Sequence, residues 1–219
     1  MRTRHVWVPM ALLALLSTER VLADPPPESP HESSVTPHAP TRATRIVARA
    51  RLEVEREVAY DAAYFRLTFR GNDEVDTGKR VYPGGDLVPS RGVCTDVVIR
   101  SLRTVGVDLQ ELVHTDILAR PFAYPTVAAP DANIDHRRVG PLLVYLRAHA
   151  GAPQESDWQG GDVVVFAFNA CPRCTPDHIG IVSDHLGPRG RPLVIHNLGP
   201  RPSEDDVLDS WTRLGHFRL

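Results

Sequence analysis

Aromatic side chains make up only 6% of the 219 residues, and cysteine occurs three times. Three cysteines are too few to frame a small disulfide-built scaffold. Charge of one sign is lacking as well. The formal net charge is −2 at pH 7, so nothing points to nucleic acid or an anionic membrane surface as a partner. Long apolar runs are missing too: Val6 to Leu16 is too short to cross roughly 30 Å of hydrocarbon as a helix. What is present, 24% charged and 42% hydrophobic residues, is the composition of a soluble globular protein of one ordinary domain with extensions.

The extensions lie at the start. Arg2, Arg4 and His5 precede that apolar run, and Val21-Leu22-Ala23 supplies small residues before a cleavage site. Residues 1–23 therefore read as a secretory signal cut after Ala23, the alternative being an uncleaved N-terminal anchor. No cysteine follows the run to take a lipid, so the expected product is soluble, exported and not inserted in a membrane. Residues 24–42 are rich in Pro, Ser and Glu, with little to bury, and read as a disordered linker. In an oxidising compartment Cys171 and Cys174 can pair, which leaves Cys94 over.

From Ala43 the pattern is helical first and stranded later. Ala43–Val58 places Ile46, Val47, Ala50 and Val54 at helical spacing, although Leu52–Val58 also alternates like a strand. Tyr60, Tyr64, Phe65 and Leu67 are expected to cover one side of the core. Further helices are expected over 90–106, 109–118 and 139–150. Strands are expected at Asp162–Phe168, His178–Ser183, Leu193–Leu198 and Gly215–Leu219, the second and third joined through Gly187-Pro188-Arg189. Helices followed by an antiparallel sheet is an α+β order.

Ser90 is a plausible N-cap for the helix carrying Cys94, with Gly106 as its stop. In a first turn, backbone N–H groups and the helix dipole favour thiolate, and the thiol pKa is expected to be drawn down from about 8.5 toward neutrality. The alternative is a buried structural cysteine. Downstream, a turn centred near Gly187 sets His178 directly opposite His196, with His178, Gly180 and Val182 on one face beside Val194, His196 and Leu198. A slip of one residue would bring Asn197 or Ile195 there instead. Two adjacent imidazoles, one holding the other's tautomer, are the base and orienter that a nucleophilic cysteine needs.

Cys94 on a helix, Gly161-Asp162-Val163-Val164-Val165-Phe166, then His178-Ile179-Gly180-Ile181-Val182 and a polar residue on the next strand resemble the NlpC-type papain-like cysteine peptidases of bacterial cell walls. Tyr82-Pro83-Gly84-Gly85-Asp86, Arg91-Gly92-Val93-Cys94-Thr95-Asp96, Asn133-Ile134-Asp135-His136-Arg137-Arg138 and His196-Asn197-Leu198-Gly199 are closer to the exported domain of unknown function 1287 family. The likeness spans about residues 43–219. It implies a papain-like domain whose nucleophile helix packs on the sheet, with Cys94 as nucleophile, His178 as base and then acid, and His196 as its orienter. It implies no cofactor, and peptidoglycan or another peptide as substrate. Tyr82, Asp96, Asp135, His136, Arg137 and Arg138 are candidate substrate contacts. The paired arginines suit a carboxylate, unless they form a buried network with Asp135. Gly71–Arg80 reads as an insertion. Cys171-Pro172-Arg173-Cys174, foreign to the family, reads as a disulfide-closed loop at one wall of the site.

Two other readings compete. Cys171, Cys174 and His178, with His185 or His196, have zinc-ligand spacing, which would make His178 a ligand instead of a base. A non-catalytic wall-binding module would keep the fold without the chemistry. Within the enzyme reading, acyl transfer shares the same intermediate as hydrolysis.

Overall fold

The computed structural model describes residues 39–69 and 81–219. The signal and the Gly71–Arg80 insertion lie outside the described residues. Ala39–Leu219 forms one compact unit, and among the described residues no helix is long and apolar enough to cross a membrane.

Helix α1 runs Arg42–Glu55, capped by the Thr41 hydroxyl, which accepts from the Thr44 N–H. Its helical spacing prevails over the strand-like alternation because Ile46, Val47 and Ala50 all reach the core. Two-residue strands β1 (Ala59–Tyr60) and β2 (Arg91–Gly92) pair in parallel and lead into α2 (Cys94–Arg103). Helices α3 (Leu109–Ala119) and α4 (Val139–His149) follow. Tyr60 and Tyr64 do not cover the core as expected: they are 45% and 57% exposed, and only Leu67 of that group is buried.

The chain then builds a five-stranded antiparallel sheet in the order β6-β5-β4-β3-β7. Its strands are β3 (Val163–Ala167), β4 (His178–Leu186), β5 (Pro192–Asn197), β6 (Pro202–Asp205) and β7 (Thr212–Phe217). The α+β expectation is met. Alternation splits the sheet into two faces. Val163, Val165, Ile179, Ile181 and Ile195 join the residues of α1, α2, α3 and α4 in the main core. Val164, Phe166, Val182, Val194 and Leu208 form a smaller cluster on the other face, roofed by Trp158 and Trp211.

Candidate active site

The helix that opens on Cys94 has its N-cap at Val93 and not at Ser90. Its cap comes from inside: the Asp96 carboxylate reaches back 2.7 Å to the Val93 N–H. Ser90 is displaced because Arg91–Gly92 is spent on pairing with β1. Asp96 is itself held 3.3 Å from Arg137, whose guanidinium also donates to the carbonyls of Asp61 and Ala63.

The expected substrate contacts are mostly buried and already partnered within the chain. Arg137 is buried and used up by Asp96, so it does not offer a fork to a ligand. Asp135 pairs with His114 at 2.8 Å and not with the arginines. His136 is buried, and burial holds its imidazole down to about 3. Tyr82 is half-buried against the His114 ring, 6.1 Å between centroids. Of the six, Arg138 alone is exposed, at the start of α4. Cys171 and Cys174 are joined to each other, which removes both thiolates from the zinc reading.

On β4 and β5 the observed pairs are Ile181 with Ile195 and Val182 with Val194. The register therefore differs by two residues from the expected one, because the pairing is irregular between Val182 and Leu186 and the turn lies further along. A shift of two keeps every side chain on its expected face. His178 meets His196 diagonally: His178 Nε2 lies 3.0 Å from His196 Nδ1, with the rings at 88°. Trp211 stands edge-on to both rings, and Phe168 stacks on His178 at 5.7 Å. Gly180 opens the diagonal. A Cβ there would fall 2.5 Å from Val194 Cγ1 and 3.2 Å from His196 Cβ. We expect Gly180→Ala to push β5 aside, lower stability by about 1–3 kcal/mol and break the ring–ring bond. Urea unfolding together with imidazole NMR signals checks both.

Behind His196, Asp205 of β6 brings Oδ2 to 3.4 Å from Nε2. A carboxylate on that side favours the proton at Nε2 of His196 and leaves Nδ1 to accept from His178 Nε2–H. The lone pair of His178 is then at Nδ1, the ring nitrogen nearer its own backbone. Sequence reasoning missed Asp205, because β6 opens on proline and continues with Ser203 and Glu204, giving no apolar alternation.

Cys94 is 8% exposed and lies near the β4 end, where the backbone N–H groups of Ile179, Thr95 and Cys94 itself favour its ionised form. Asn197 at the end of β5 donates to the Gly92 carbonyl, stitching this strand end to the helix start. The thiol belongs to the helix-side core and the two rings to the opposite face, so they meet only where the strands end. Among the described residues no hydrogen bond joins the thiol to either ring. Burial overturns the expected poised thiolate, pushing the thiol up to about 12, with Asp96 adding to the rise and the three N–H groups opposing it. Burial and neighbouring His196 hold His178 down to about 3. At rest both groups are neutral. Tyr60, 45% exposed, lies within electrostatic range of the thiol, a neighbour that carried no sequence signal.

A family model described as a domain of unknown function, DUF1287, matches residues 47–219. The "Uncharacterized protein YijF" of Escherichia coli (strain K12) is 42% identical over 181 residues, covering 79% of this chain and 80% of that one. Among solved structures, an N-acetylmuramoyl-L-alanine amidase from Bacteroides uniformis is similar at a TM-score of 0.41 and 11% identity, over 80% of this chain and 97% of that one.

Proposed function

The chain belongs to the domain of unknown function 1287 family, and on that premise we propose that it is an exported, papain-like cysteine hydrolase cleaving an amide bond in peptidoglycan. The observation that carries this reading is the His178–His196 ring pair, joined at 3.0 Å with Asp205 3.4 Å behind it, at the strand ends that Asn197 stitches to the start of the Cys94 helix. In the reaction, Nδ1 of His178 takes the Sγ proton as sulfur attacks the amide carbon. The N–H groups that open α2 stabilise the oxyanion. His178 then gives that proton to the leaving amine. A water deprotonated by the same nitrogen releases the acyl group and restores the thiol.

With thiol and imidazole both neutral at rest, proton transfer accompanies attack instead of preceding it. A substrate carbonyl arriving at the helix start supplies a place for negative charge to develop beside the N–H groups. The same burial favours a second reading, a silent wall-binding module. Digesting purified peptidoglycan separates them. The wild type is expected to release new amines and smaller fragments, and Cys94→Ala to release none while still binding the polymer. Identical digests from the two would leave only the binding module.

A further inference from the structure

The loop between β3 and β4 holds a group that the proposed reaction does not use. Residues 168–177 leave the sheet after Ala167 and return at His178, with Cys171 bonded to Cys174 between them. The base of the loop is tied three times. Asp177 N–H donates to the Phe166 carbonyl, Phe168 N–H donates to the Asp177 carboxylate at 2.9 Å, and the Thr175 hydroxyl donates to that carboxylate at 2.7 Å. Each cysteine stands three residues from one of the two anchors, Phe168 and Asp177. Phe168, 44% exposed, stacks directly on the His178 ring. Cys171 lies in the open and Cys174 is half-buried. A reagent from solution can therefore reach the outermost link of a contact chain that ends on an imidazole.

We propose that the Cys171–Cys174 disulfide is a thiol–disulfide exchange site for a dithiol reductant, and that its redox state sets how firmly Phe168 covers His178. The consequence for catalysis rests on the reading of His178 as the base. A thiolate of the reductant attacks Cys171 sulfur, the S–S bond breaks, and Cys174 leaves as a thiolate that takes a proton from water. The second thiolate of the reductant then attacks its own sulfur in the mixed disulfide. Cys171 is released and protonated in turn, and the reductant departs oxidised by two electrons. The positive charge of Arg173 between the two cysteines favours the thiolates that form.

Cutting the link returns conformational freedom to the two stalks of the loop. The Phe168 ring no longer rests on a closed base, and water gains the side of His178 that it covered. The titratable group in contact with that imidazole is His196 on β5, with Asp205 of β6 behind it; Cys94 on α2 belongs to the other face of the sheet and approaches only at the strand end. Opening the loop adds no charge, so its effect is hydration of His178 and access to the strand end where Cys94 lies.

The test uses the folded full chain at pH 7, with and without dithiothreitol under nitrogen. Thiols are labelled with iodoacetamide, the label is located by peptide mass, and imidazole signals are followed by NMR. Cys171 and Cys174 are expected to label without denaturant, Cys94 labelling to rise about tenfold as the buried thiol gains access, and the His178 signals to move. Phe168→Ala in the oxidised protein should move the same signals with the disulfide intact. Resistance to reduction without denaturant, global unfolding on reduction, or reduction that leaves Cys94 and His178 unchanged would each overturn the proposal. The peptidoglycan digest is read separately. An inactive wild type whose labelling still responds removes the enzyme and keeps the exchange site.

Discussion

Peptidoglycan hydrolysis is expected to fall about 10³-fold or more in both Cys94→Ala and His178→Ala, and the double variant should be no slower than the poorer single one. Residues that act as one unit lose their joint effect when either is removed, whereas independent contributions multiply. His178 has little to do without a sulfur to deprotonate, and a buried thiol near 12 has little nucleophilicity without a base. His196→Gln keeps both partners but lets the base turn, so kcat should fall by about 10²-fold or more with KM little changed. Losses that multiply in the double variant would show that sulfur and imidazole do not work together. The resting charges add a second readout. With the thiol held up to about 12 by burial, iodoacetamide labelling of Cys94 should climb about tenfold per pH unit between pH 7 and 10. A plateau by pH 8 would restore the low-pKa thiolate expected from the helix terminus.

Arg100→Met should cost about 3–5 kcal/mol of unfolding free energy. Arg100 is buried on α2, 2.9 Å from Glu53 and 3.3 Å from Asp86, and it also donates to the carbonyls of Leu87 and Arg91. Its removal takes one of two arginine partners from each of two buried carboxylates, leaving Glu53 to Arg49 and Asp86 to Arg103. Breaking the exposed pair of Arg201 and Glu57 should cost about 0–1 kcal/mol. Urea unfolding of both variants makes the comparison, and equal losses would refute the buried network.

The acid limb follows from the same groups. Burial pushes the Asp86 carboxyl up, but Arg100 and Arg103 outweigh it and hold the group well below the usual carboxylate range. A depressed carboxylate contributes stability above its unfolded value, and that stability is lost as pH falls toward the folded one. His136 and His178, both held to about 3 by burial, bind protons in the unfolded chain first. Stability should therefore already decline as pH drops from about 6.5 toward 3, by up to about 1.4 kcal/mol per pH unit for each. In Arg100→Met the Asp86 part of this limb moves to higher pH.

Much of this was legible in the chain. The spacing of Ile46, Val47 and Ala50, or of Leu142, Leu143 and Leu146, follows directly from which face must be buried. The runs Val163–Ala167 and Ile179–Val182 are apolar because both faces of the sheet are covered. His178 and His196 were placed on one face because parity along a strand survives a shift of two residues. Their diagonal meeting was not legible, since it depends on turn geometry and on the missing side chain of Gly180. Nor was Arg137's partner: Asp96 is as distant in sequence as many other carboxylates, and only packing selects it. The thiol pKa misled because a helix terminus is a local signal, whereas the burial that outweighs it is set by the whole fold.

The sheet divides the layer of Cys94 from the layer of the two imidazoles, and the two meet at a rim bordered by residues 168–177 and 198–201. Both borders are hairpin connections, which tolerate changes of length far better than the layers behind them. Changes of length there can therefore reshape the rim while Cys94, His178 and His196, fixed to the packed layers, stay where they are.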